Sequence, residues 1–316
     1  MNLKPQCVIV GYAGIDRVIE VESFEDKAKT AIVLNKNNRN VYFGGNGSNI
    51  AYCLAKLGCG AYPIMRVGED QDELGYIEHF GNAGVLTDGI TIVKGETTSI
   101  CHLIKDKNNN HLTMSYPGAM NVKYATEAYD DKVFEQADYG IISVSTYADT
   151  VQFLQKCRQH KLPMVLAMRV DYESFPHVIL KDILYESKII FTNEVERKLI
   201  EKDYFLADIT MLMVLGNAEI IVTTLGEKGC VVYEKKENAI EEVHVAITPC
   251  EKVVDTTGAG DSFISGFMYG LLNGEPVEKC AEYASTTSSF IIEKSGCITN
   301  APTQQEMLQR NKVRKY

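Results

Sequence analysis

Short apolar runs alternate with amphipathic stretches of helical period along most of this chain, and few architectures accommodate that order. A strand buried on both faces reads as a continuous apolar run, and each return to a parallel neighbour needs a crossover, usually a helix. Cys7 to Gly11 reads as a first strand, with Tyr62 to Val67, Tyr139 to Val144, Met164 to Met168, Ile189 to Thr192 and Ile220 to Thr224 as further buried strands. Helices fit Ser48 to Leu57, Leu74 to Ala83, Thr150 to His160, Glu194 to Lys202 and Gly260 to Leu272. The pattern predicts an α/β fold with a mostly parallel central sheet covered on both faces.

Two stretches break the rhythm. Val18 to Phe43 and Thr97 to Ser115 carry short alternating segments separated by polar turns such as Lys36-Asn37-Asn38 and Lys107-Asn108-Asn109-Asn110. Alternation suggests antiparallel strands with one wet face. Together the two stretches predict a small sheet inserted in the main domain and placed to act as a lid. No internal repeat or low-complexity linker is evident, and Gln304 to Tyr316 reads as a polar terminal helix or a frayed end.

At 316 residues, with 45% hydrophobic and 23% charged residues, the composition is that of a soluble globular chain with a sizeable core. A net charge of −10 does not suit a general binder of nucleic acid or anionic membrane. A small anionic ligand would have to be held by local devices, such as helix N-termini. The nine cysteines are scattered, with no CxxC pair and no partner histidine at metal spacing, so they read as reduced thiols. Residues 1–6 lead straight into the first strand without an apolar signal core, and no uncharged run is long enough to cross a bilayer. The expected location is cytoplasmic.

The segment Asp255-Thr256-Thr257-Gly258-Ala259-Gly260-Asp261-Ser262-Phe263 precedes an apolar run rich in small residues that reads as a buried helix. A glycine-rich turn opening such a helix points unpaired N–H groups at one spot, where the helix dipole also favours negative charge. Phosphoryl transfer needs such an anion hole together with a carboxylate to take the acceptor's proton. Asp261 is the candidate base. The plain alternative is that Asp261 caps its helix and the glycines serve the turn. No GxxxxGK[ST] loop occurs, and no GxGxxG opens a helix after the first strand, so P-loop and dinucleotide-binding folds are not expected.

The string Asp255 to Phe263 resembles the second signature of the ribokinase-like (PfkB) family of carbohydrate and nucleoside kinases. Gly44-Gly45-Asn46-Gly47-Ser48-Asn49-Ile50-Ala51 resembles the first, in the expected order. The resemblance spans nearly the whole chain. It implies one domain over residues 1–316, folded as a three-layer αβα sandwich, with a lid at about 17–43 and 97–115. It further implies Asp261 as base and the amides of Gly258, Ala259 and Gly260 as anion hole. Gly44 and Gly45 would let the backbone approach the acceptor sugar, with Asp16 and Asn49 bonding its hydroxyls. Asn193 and Glu196 match the family's N-x-x-E element, which organises Mg²⁺ through water, and the nucleotide phosphates. Thr224, Gly226 and Gly229 match its T-x-G-x-x-G loop near ATP. Asp255 and Thr257, completed near Ser295-Gly296, match its monovalent-cation site, typically K⁺.

Each element has an ordinary structural counterpart. Asp16 reads equally as a strand-end turn, Ser48 and Asn49 as helix N-caps, and Asn193 to Glu196 as an acidic helix start. Thr224 to Gly229 reads equally as a tight hairpin, and Asp255 and Thr257 as turn formers.

Phe43-Gly44-Gly45, Asn49-Ile50-Ala51-Tyr52 and Tyr116-Pro117-Gly118-Ala119-Met120 look most like bacterial-type adenosine kinases, which implies transfer from ATP to the 5′ hydroxyl of adenosine to give AMP. Two departures bear on the base. Ser115 stands where that pattern has an aromatic residue for stacking, and Met168 to Glu173 stand where it has a glutamine pair. A ribose, fructose or other sugar kinase is the alternative. A non-catalytic nucleoside or sugar sensor on the same fold is a third reading, one with no use for Asp261. Family members occur as monomers and as dimers paired through their lid sheets.

Overall fold

The structure is a computed structural model and describes residues 4–24, 30–108, 110–125, 129–167 and 171–314. In chain order the strands are β1 (Cys7–Val10), β2 (Gly14–Val21), β3 (Tyr42–Gly44), β4 (Ala61–Gly68), β5 (Ile90–Val93), β6 (Ile100–Asp106) and β7 (His111–Tyr116). β8 (Tyr139–Ile142), β9 (Met164–Ala167), β10 (Ile189–Asn193), β11 (Ile220–Thr224), β12 (Cys230–Lys235) and β13 (Ile240–Val245) follow.

The larger sheet has the order β13-β12-β11-β10-β9-β8-β1-β4-β5. It is parallel from β11 to β5, and β12 and β13 add an antiparallel edge. Period-two alternation divides its side chains between two cores. Cys7 and Ile9 of β1 face one core with Val165, Phe191 and Val222, under the helices Asn46–Lys56, Ala259–Leu272 and Val277–Ile291. Val8 and Val10 face the other with Leu166, Ile190 and Ile221, under Tyr147–His160, His177–Glu186 and Glu194–Asp203. This is the three-layer αβα arrangement expected from the strand–helix alternation and the family resemblance.

A separate sheet, β3-β2-β6-β7, is built from the two stretches that break the rhythm. It differs from expectation in one pairing, because β2 and β6 run parallel. Both continue outward from strands of the parallel sheet, β1 and β5, and so inherit one direction; only β2–β3 and β6–β7 are antiparallel. The stretch expected as one helix over Leu74 to Ala83 is two, Gln71–Leu74 and Tyr76–Asn82, divided where Gly75 adopts a left-handed φ of 64°. The helices His177–Glu186 and Val277–Ile291 and strands β12 and β13 lie outside the expected elements. The tail forms a helix over Gln304–Lys312, opened by a capping box of Thr303 and Glu306. Among the described residues no helix is long and apolar enough to cross a membrane.

Candidate active site

Two helix starts meet at one cavity. β3 ends at Gly44, and Gly45 turns the chain with φ 94° into the helix Asn46–Lys56. A Cβ at Gly45 would collide with the Tyr12 carbonyl, so both conformation and closeness demand glycine there. Asn46 Oδ1 accepts from the Tyr12 amide at 3.1 Å and ties this turn to the chain leaving β1. Ser48 donates back to the Gly44 and Gly45 carbonyls at 2.5 and 2.8 Å, and neither Ser48 nor Asn49 is the N-cap.

The second helix, Ala259–Leu272, starts behind Gly258, whose φ of 81° is left-handed. Asp261 sits in its first turn, and its Oδ2 accepts from Asn49 Nδ2 at 2.8 Å across 212 residues of sequence. Its carboxylate thus reaches the other helix start, which a simple cap does not require. Asn49 is 3% exposed, and its Oδ1 is buried without a hydrogen-bond partner among the described residues. A buried acceptor left open costs about 1–3 kcal/mol, so a ligand hydroxyl there would recover part of that cost.

The turn before Gly258 is closed by Asp255. Its Oδ1 accepts from the Thr257 amide at 3.0 Å and the Thr257 hydroxyl at 2.7 Å, and its Oδ2 from the Gly296 amide at 3.2 Å. The Ala259 amide donates to the Thr256 carbonyl at 3.2 Å and Ala259 does not border the cavity, whereas Gly258 and Gly260 do. Of the three residues whose amides were expected to form an anion hole, Gly258 and Gly260 are thus the two at the cavity wall.

Asp16 opens the small sheet on β2, opposite Tyr42 of β3 and Cys101 of β6. The room left by Gly44 is filled by the Asp16 carboxylate, which a Cβ there would strike, so Gly44 seats Asp16 instead of bordering the cavity. Cys297 closes the other side, its thiol 3.5 Å from Asp16 Oδ2. Burial first, then the Asp16 and Asp261 charges, push the Cys297 thiol well above the ordinary cysteine range.

At the ends of β10 and β11, Asn193 and Thr224 are cross-strand partners. Asn193 caps the helix Glu194–Asp203 in a reciprocal box, with Asn193 Oδ1 to the Glu196 amide at 2.9 Å and Glu196 Oε2 to the Asn193 amide at 2.8 Å. The pair thus has the geometry of an ordinary helix start, and both residues border the cavity. No three or more His, Cys, Asp or Glu side chains converge on a metal among the described residues. One carboxylate beside Asn193 and Thr224 fits a Mg²⁺ held mainly by phosphates and water. Gly226 and Gly229 lie away from the cavity, in the tight turn between β11 and β12.

The cavity measures about 1370 Å³, above the 300–1,000 Å³ usual for one small ligand and roomy enough for two. Asp16, Asn49 and Ser115 border it together with Asp261, Asn193, Glu196 and Thr224. Tyr12, Asp171, Glu173 and Cys297 also line it; Asp171 and Glu173 belong to the stretch Met168 to Glu173, whereas Tyr12 and Cys297 are not among the expected site residues. Asp171 spends its carboxylate on Ser174 and the Glu173 amide. Met168, Arg169 and Val170 lie outside the described residues. For Cys297 the available signal was its place directly after Ser295-Gly296.

A family model described as pfkB family carbohydrate kinase matches residues 4–304. The nucleoside kinase of Methanocaldococcus jannaschii is 26% identical over 304 residues, covering 95% of each chain. Its crystal structure superposes with a TM-score of 0.84 over 98% of this chain and 99% of that one, at 24% identity. Ribokinase of Arabidopsis thaliana, solved with ribose and ATP, gives a TM-score of 0.80 at 23% identity over 98% and 100%. Burkholderia thailandensis nucleoside kinase, solved with inosine, gives 0.79 at 21% identity over 98% of each chain.

Proposed function

The chain belongs to the pfkB family of carbohydrate kinases, and from that premise we propose that it phosphorylates the 5′ hydroxyl of a nucleoside, adenosine first, to give AMP. As a family member it is an ATP-dependent phosphotransferase acting on a hydroxyl of a nucleoside or sugar. The observation that carries the reading is the 2.8 Å bond between Asn49 and Asp261, which brings both signature motifs to one cavity large enough for donor and acceptor.

In this mechanism Asp16 and Asn49 hold the acceptor's hydroxyls, and the small sheet acts as a lid that closes over it and excludes water. Asp261 takes the proton from the attacking hydroxyl as the γ-phosphoryl group moves in line. The Gly258 and Gly260 amides, at the positive end of the helix Ala259–Leu272, stabilise charge on the moving oxygens. Asn193 and Thr224 hold the phosphates of ATP, and Glu196 would hold Mg²⁺ through water. Mg²⁺, when bound, neutralises charge on the β- and γ-phosphates. Asp255, Thr257 and Ser295 supply the oxygens that suit K⁺ beside the turn. Exposed Leu112, Met114 and Tyr116 on β7 support pairing of two copies through the small sheet.

Ser115 favours a second reading, a sugar acceptor, because the small sheet offers no ring there for a base. ADP release is measured with Mg·ATP and K⁺ across adenosine, inosine, guanosine, cytidine, ribose and fructose. Turnover with adenosine alone supports the specific reading, and preference for ribose or fructose replaces it with the sugar reading. Nucleoside binding without ADP release refutes catalysis. Replacing K⁺ by a bulky organic cation should lower turnover, and no change would remove the cation assignment.

A further inference from the structure

The short segment Ser295-Gly296-Cys297 touches both halves of the cavity. On the acceptor side, the Cys297 thiol lies 3.5 Å from Asp16 Oδ2, and a Cβ at Gly296 would come within 2.6 Å of the ring of Tyr42, the residue opposite Asp16 on β3. On the phosphate side, the Gly296 amide donates to Asp255 Oδ2 at 3.2 Å, and the Cys297 backbone packs so tightly under Gly258 that a Cβ there would come within 2.7 Å of its carbonyl. Cys297 is 3% exposed and borders the cavity. Asp16 is thereby seated between the bare face of Gly44 and a thiol anchored to the phosphate turn.

We propose that Cys297 is a positioning residue for the acceptor: its S–H donates to Asp16 Oδ2 and fixes that carboxylate relative to the Gly258–Asp261 turn. The proposal rests on the reading that Asp16 holds the acceptor. A cysteine thiol of ordinary acidity, about 8.5, is mostly protonated at neutral pH, which is the state that can donate. A cysteine serving only to fill space would give a different kinetic signature, since loss of packing does not single out one substrate.

Steady-state kinetics with adenosine, or with ribose where ribose is the acceptor that turns over, are measured for Cys297→Ala, Cys297→Ser, Asp16→Ala and the Asp16→Ala/Cys297→Ala double variant. Removing one hydrogen bond to a carboxylate should raise the acceptor KM about ten-fold, leave the ATP KM within about two-fold and lower kcat less than about three-fold. Serine should return the acceptor KM to within about three-fold, because a hydroxyl donates to the same oxygen. In the Asp16→Ala background the cysteine change should add little. Cys297→Val fills the space without a donor and carries the test if the alanine variant does not fold. An acceptor KM unmoved by Cys297→Ala or Cys297→Val but raised by Asp16→Ala overturns the proposal alone, as does full multiplication in the double variant. An acceptor KM unmoved by Asp16→Ala overturns the acceptor assignment itself, and the proposal with it.

Discussion

The two sheets border one cavity, yet only the larger has central strands buried on both faces. β1 and β9 are buried at every position, and Ile9, Ile141, Val165 and Ile190 are fully covered by helices. In the smaller sheet β7 is exposed along its whole length, and β2 and β6 are half-buried or exposed over most of theirs. Burial density governs local opening, so the larger sheet should act as a fixed frame and the smaller as the part free to move. The proposed chemistry divides along the same line. Asp261, Asn193 and Thr224 stand at strand ends or helix starts of the frame, whereas Asp16 and Ser115 ride on the smaller sheet.

The largest effect should come from the frame. Asp261→Asn keeps an oxygen to accept from Asn49, so the protein should fold normally, while turnover falls by about 10²- to 10⁴-fold through loss of the base. ADP release together with a thermal melt checks both halves, and near-normal turnover would refute the base. On the smaller sheet, Asp16→Ala should raise the acceptor KM by about ten- to a hundred-fold and leave the ATP KM alone. A change confined to the ATP KM would dissolve the division of labour. The contrast in burial gives a third test, by chemical denaturation. Ile190→Ala on β10 should cost about 2–5 kcal/mol, whereas Met114→Ala on β7, half-exposed, should stay within about 0.5 kcal/mol. Equal losses would mean that the smaller sheet is as much a core as the larger.

What could be read in advance follows from how locally each feature is encoded. The left-handed turns at Gly45 and Gly258 show in sequence because only glycine tolerates them cheaply, and parallel buried strands show as apolar runs. The pairing of Asp16 with Cys297 joins residues 281 positions apart and leaves no local mark. The same holds for the parallel β2–β6 pair, whose direction follows from β1 and β5 rather than from its own alternation. Ala259 belongs to the anion-hole motif as a string of letters, but a carbonyl one turn back engages its amide. Nothing in residue type distinguishes an amide so engaged from one that faces a ligand.

The smallest effect concerns the joint between the sheets. His79, on the helix Tyr76–Asn82, is stacked between Phe43 of β3 at 4.5 Å and Tyr52 of the helix bearing Asn49 at 4.9 Å. Burial, then the Lys56 charge, hold its imidazole below the ordinary histidine value. In the unfolded chain the ring takes its proton near pH 6.5, roughly the ordinary value, so below that pH the unfolded state binds more protons than the folded one. The stability from a neutral His79 is therefore complete above that value and is lost as pH falls through the lower folded one. His79→Phe keeps the stack and removes the titration. From about pH 8 to about pH 5, its melting temperature should fall less than that of the parent protein, by a margin of about 1 °C for a partly exposed group. Identical slopes would place the strength of this joint in Phe43, Tyr76 and Phe80, whose rings carry no charge in that range.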